Sequence, residues 1–165
     1  MPRGRADSRL SFTKPLPWTD LQLYDWFVSE VTGIRFRSDI GNSFCCEPPR
    51  TVNIQVAANS YISLTDRWID PALGGGLVDT MILFAHEARH IAAGGHTCGG
   101  DDNSIDELNS WGVQYYLYVW LARFADQAFL SNPAELPGEY RRLMESDAEM
   151  TRRVRFCEDT TASFE

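Results

Sequence analysis

Hydrophobic residues recur at helical spacing in four stretches of this chain and at alternate positions in three others, which predicts a mixed α+β domain. From Trp18 to Thr32, Leu21, Tyr24, Val28 and Val31 share one helix face. Thr19 or Asp20 can cap the start, and Gly33 suits the position just past the end. Ile34-Arg35-Phe36-Arg37 alternates apolar and polar and reads as a short strand. Residues 38–49 carry Asp39, Gly41, Asn42 and the pair Pro48-Pro49, the composition of a loop. A second strand is expected over Thr51 to Ala57, with Val52, Ile54 and Val56 on one face and Asn53 and Gln55 on the other. Tyr61 to Thr65 gives a third, with Ile62 and Leu64 inward.

Asp66 to Gly76 is a second loop, containing Pro71 and the run Gly74-Gly75-Gly76. The next helix is predicted over Leu77 to Ala93: Met81, Phe84, Ala88 and Ile91 form an apolar stripe, while Ile82, His86 and His90 mark another face. Gly94-Gly95 ends it, and the polar, glycine-rich residues 94–104 turn the chain back over the histidine face. Ser104 opens the longest predicted helix, which runs to about Leu130 and is apolar nearly all round from Trp111 to Phe124, a central core element. Gly112 inside it costs about 1 kcal/mol relative to alanine, which a close crossing with another helix would justify. Asn132, Pro133, Pro137 and Gly138 form a linker, and residues 139–156 a last, charged helix. The expected architecture is a small mixed sheet of about three strands packed on the histidine-bearing helix and the long core helix.

At 165 residues, with 44% hydrophobic and 23% charged residues, the chain has the size and composition of one globular domain. Nothing approaches the run of roughly 18 apolar residues that a transmembrane helix needs. A net charge of −8 argues against a nucleic-acid partner, whose phosphates call for a basic surface. Residues 1–14 carry Arg3, Arg5, Arg9 and Lys14 against Asp7, which leaves −11 on the rest. Residues 1–16 therefore read as a disordered basic lead-in without the apolar segment of a signal peptide, and residues 17–165 as a single domain. Four cysteines, Cys45, Cys46, Cys98 and Cys157, allow two disulfides in three pairings. Adjacent Cys45 and Cys46 most easily bond to two different partners, Cys98 and Cys157; four reduced thiols are the alternative. Disulfides would favour a secreted or periplasmic setting.

All three histidines of the chain fall within residues 86–96. His86 and His90 stand one helical turn apart, so both imidazoles can address one metal ion, and Glu87 lies about 100° round the axis, within reach of a water there. A catalytic zinc site takes three protein ligands and a water. His96 is one candidate for the third ligand, and Glu107 the other, with Asp101, Asp102 and Asp106 as further carboxylates. Ser104-x-x-Glu107 also has the spacing of a capping box, in which Glu107 would bond the Ser104 backbone N–H. Glu87 fits the general base that takes a proton from the attacking water and passes it to the leaving amine. Asp79, Asp101, Asp102 or Asp106 can orient a ligating imidazole, and Tyr115, Tyr116 or Arg89 can steady an oxyanion.

His86-Glu87-Ala88-Arg89-His90 resembles the zincin signature of metallopeptidases, and the stretch to His96 is similar to the metzincin pattern HExxHxxGxxH. That resemblance implies Zn²⁺ on His86, His90 and His96, with Glu87 as the base, in a zincin-like fold acting on a peptide or protein substrate. Ala93 stands where the pattern has glycine, and Met144 and Met150 lie in a predicted helix rather than a Met-turn. The order of strand, motif helix and a second helix opening with Asp106-Glu107 also resembles small gluzincins, which implies Glu107 as third ligand. The similarity spans residues 50–112. The expectation is a zinc metallopeptidase; the alternative is a non-catalytic zincin-like domain that holds a metal or binds a partner.

Overall fold

In the computed structural model, residues 21–55, 76–128 and 137–158 are described, and every structural statement below concerns these. The basic lead-in, the strand expected over Tyr61–Thr65 and the linker near Asn132 lie outside the described residues. Helix α1 is Leu21–Glu30, followed by strands β1 (Gly33–Arg37), β2 (Phe44–Glu47) and β3 (Thr51–Gln55). Helix α2 is Gly76–Ala93; a single 3₁₀ turn at Ile105–Glu107 precedes α3 (Ser110–Ala128), and α4 is Pro137–Val154. The α+β class expected from the hydrophobic pattern holds, with four helices and one small mixed sheet.

The sheet order is β1-β3-β2, with β1 parallel and β2 antiparallel to β3. Central β3 is buried on both faces: Val52, Asn53 and Ile54 are all fully enclosed, so the polar face expected for Asn53 does not reach solvent. Strand β2 corrects the reading of residues 38–49 as loop alone. Its four residues are half-exposed and flanked by turn formers, so pairing with β3, and not propensity, makes it a strand. Helix α1 also departs from expectation: Tyr24 and Val28 face solvent, and Trp26 and Phe27 are the partly covered side chains.

Helix α2 lies between the sheet and α3, touching β2 and β3 on one side and α3 on the other. Its core face is Val78, Ile82 and Ala85, one step round from the stripe expected through Met81, which is exposed. Facing these are Val113, Tyr115 to Val119 and Ala122 from α3, and Tyr140, Met144 and Ala148 at four-residue intervals on α4. Burying side chains such as Met144 and Val113 contributes roughly 1.5–3 kcal/mol each.

The long helix does not start at Ser104. The chain makes the 3₁₀ turn, Leu108 takes a left-handed conformation (φ 50°), and the helix restarts at Ser110. Gly112 is explained by this restart. A Cβ there would stand 3.3 Å from the Ile105 carbonyl oxygen, so the close neighbour is the 3₁₀ backbone and not a crossing helix. The cysteine pairing also differs from expectation: Cys98 bonds Cys157, with Cα atoms 6.4 Å apart, so neither is the partner of Cys45 or Cys46. Cys98 and Cys157 are brought together because the segment after α4 runs beside residues 98–103, Asp102 bridging to Phe156. None of the described helices is long and apolar enough to cross a membrane.

Candidate metal centre

Helical periodicity puts His86 and His90 on one face of α2, with ring centroids 5.2 Å apart. His96 reaches them by a local reversal of the chain. Gly94 ends α2 in the left-handed conformation (φ 81°), its N–H bonding the His90 carbonyl at 3.0 Å. A tight turn at Gly99-Gly100 then pairs Cys98 with Asp101 through reciprocal backbone bonds of 2.8 and 3.0 Å. His96 thereby returns over the end of α2, 4.6 Å from His90 and 5.5 Å from His86 between ring centroids. One ligand nitrogen from each of the three rings lies within 4.8 Å of the other two, a grouping that could hold a metal ion.

Two of the three imidazoles are oriented by hydrogen bonds. His90 Nδ1 donates to the Gly94 carbonyl at 2.7 Å, and His96 Nδ1 to Asp102 Oδ1 at 2.9 Å, leaving Nε2 of both for a metal. Of the carboxylates expected to orient a ring, Asp102 is the one that does. It is fully buried, and its other oxygen accepts the backbone N–H of Trp111 (2.9 Å) and Gly112 (3.4 Å), capping α3 from a distance. Nδ1 of His86 and Oε1 of Gln114 are both buried without a hydrogen-bond partner. Burial lowers the His86 pKa to about 3, helped by its two histidine neighbours, and burial also lowers that of His90. Neutral imidazole is the form that ligates a metal ion.

Glu87 is 6% exposed and lines the same cavity as the three histidines. Burial pushes its carboxyl pKa up to about 7, partly offset by the backbone N–H of Cys45 in β2. The cavity encloses about 1010 Å³. Phe44, Leu83, Ile91 and Trp111 supply apolar wall, and Arg50 and Arg155 supply cationic groups. Trp111 packs its ring 4.3 Å from His86 and stacks on His96 at 5.7 Å.

Glu107, the other candidate for third ligand, stands outside the histidine grouping. It is exposed, and its carboxylate accepts from Thr97 Oγ1 (2.5 Å), Asn109 Nδ2 (3.2 Å) and the Asn103 N–H (3.3 Å). This pins the loop that carries His96. The expected capping box is not formed, since Ser104 makes no side-chain cap and Glu107 bonds the N–H of Asn103 instead. Asp101 pairs with Arg155 at 3.2 Å, Asp106 is exposed, and Asp79 points towards Tyr118 and Asp147. Arg89 donates to the Leu108 carbonyl at 2.8 Å, and Tyr115 packs on Tyr116 and Phe156; Arg89, Tyr115 and Tyr116 all lie off the cavity lining.

Trp111, Arg50 and Arg155 were not legible as site residues. The one signal for Arg155 was Cys157 two positions later, had Cys98 been taken as its partner. No protein-family model, curated protein or solved structure matches this chain, and its chemistry is read from the geometry alone.

Proposed function

We propose that the protein is a zinc-dependent hydrolase of zincin-like type that cleaves peptide bonds. The observation that carries this reading is the convergence of His86, His90 and His96 beside the buried carboxyl of Glu87 on one cavity wall. His86, His90 and His96 would hold the ion, and Asp102 and the Gly94 carbonyl fix the rings of His96 and His90 for it. Zn²⁺ bound there would acidify water and polarise a substrate carbonyl. Glu87 takes the proton as water attacks and returns it to the departing amine, so one carboxyl serves both halves of the reaction. Its contact with the backbone of Cys45 holds the carboxyl beside the histidines on the cavity lining.

The test pairs metal content with cleavage. Wild-type protein should take up one equivalent of zinc and cleave casein, while Glu87→Gln should keep the zinc and lose about 10²–10⁴-fold in rate. Cleavage that survives the substitution removes Glu87 from the mechanism. A zinc-loaded wild type that cleaves no peptide favours the alternative, a non-catalytic domain that holds metal or binds a partner.

A further inference from the structure

The protein carries a net charge of −8, yet the charged side chains lining the cavity are Arg50, Arg155 and a single carboxyl, Glu87. Arg155 is the better placed of the two cations. Its guanidinium carbon sits 4.2 Å over the Trp111 ring, and that ring packs directly on His86 and His96. A cation on an aromatic face keeps its position while its edge stays open to hydrogen bonds. Asp101 Oδ1 meets one guanidinium nitrogen at 3.2 Å, and the side chain remains 43% exposed. A guanidinium has five N–H donors in a planar fork that matches a carboxylate. Backbone bonds between Asp102 and both Arg155 and Cys157, with the Cys98–Cys157 disulfide, fix the segment that bears it against the His96 loop. Arg50, half-exposed and paired with Glu30 at 3.3 Å, adds positive potential from elsewhere on the lining.

We propose that Arg155 makes this cleft selective for substrates bearing a carboxylate close to the bond that is cut, either an acidic side chain or the C-terminal carboxylate of a short peptide. The inference rests on the metal-centre reading above, since it takes the histidines as the point where substrate is anchored. It assigns Arg155 to substrate recognition, distinct from the proton transfer given to Glu87.

Two probes test it on zinc-loaded protein by calorimetry: succinic acid monohydroxamate, and the same molecule with its carboxylate replaced by carboxamide. Both present the same chelating end, so their difference reads the carboxylate alone. Wild type should bind the carboxylate probe about ten- to a hundredfold more tightly. Arg155→Gln should erase that difference while leaving the carboxamide probe's affinity as in wild type. Equal affinities in wild type, or a preference that survives Arg155→Gln, overturn the proposal. The wild-type comparison stands even if the variant folds poorly. Zinc uptake, read separately with a chromogenic chelator, fails only if the metal centre itself is wrong. Peptides that differ in a free or amidated C-terminus, or in Glu against Gln, then identify which carboxylate Arg155 holds.

Discussion

Asp102 joins three parts of the molecule, and its substitution offers the sharpest test of how the centre is built. The side chain is wholly buried. One oxygen accepts from His96 Nδ1 at 2.9 Å, and the other accepts the Trp111 and Gly112 amides at 2.9 and 3.4 Å. Its backbone also bonds Arg155 and Cys157 at 3.1 and 3.0 Å. Hydrogen bonds to a charged group contribute about 1.5–3 kcal/mol each, and stranding their buried partners makes the loss larger. Asp102→Ala should therefore cost about 3–5 kcal/mol, a large share of the roughly 5–15 kcal/mol that holds a domain folded. Asp102→Asn is the more informative change, because it keeps the volume but loses the charge and turns a donor towards other donors. It should cost about 2–3 kcal/mol in denaturant unfolding of the zinc-free protein, followed by tryptophan fluorescence. Zinc affinity, read by chelator competition, should fall about 10–100-fold because His96 loses its orienting carboxylate. A D102N protein within about 0.5 kcal/mol of wild type, with zinc affinity changed less than about twofold, would refute this account of the site.

Two further outcomes follow from the surroundings of the site. Asp79 sits beside Tyr118 and Asp147, and burial, reinforced by Asp147, pushes its pKa up to about 7. Since the unfolded chain ionises this carboxyl near about pH 4 while the folded protein keeps it protonated, stability falls as pH rises from there to about 7, by about 4 kcal/mol. Asp79→Asn keeps an acceptor for Tyr118 and should raise stability by up to that amount near about pH 8, with little change near about pH 4; parallel stability–pH curves for the two proteins would contradict it. The Cys98–Cys157 bond spans a sequence separation of 59, which by loop-closure entropy stabilises by about 4 kcal/mol. The paired change Cys98→Ser, Cys157→Ser should lower the melting temperature by about 10 °C and weaken zinc binding, since the same loop carries His96. Unchanged melting would show that the backbone bonds around Asp102 and Arg155 suffice by themselves.

The chain determined by itself whatever depends on neighbours along it. His86 and His90 share a helix face, with Glu87 beside it, because 3.6 residues make a turn, and Gly94 ends that helix because a left-handed residue suits the position after it. The α+β class and the apolar middle of α3 were legible for the same reason. Tertiary structure decided what depends on contacts between distant residues. Strand β2 exists through pairing with β3, and α3 starts at Ser110 because Leu108 reverses the chain and Asp102 supplies the missing cap. Cys98 finds Cys157 across 59 residues, and with it comes Arg155, which no local pattern connects to the histidines. Turn geometry can be read from a few residues, whereas a partner chosen across a long loop is selected by packing and loop-closure entropy, which local sequence patterns do not encode.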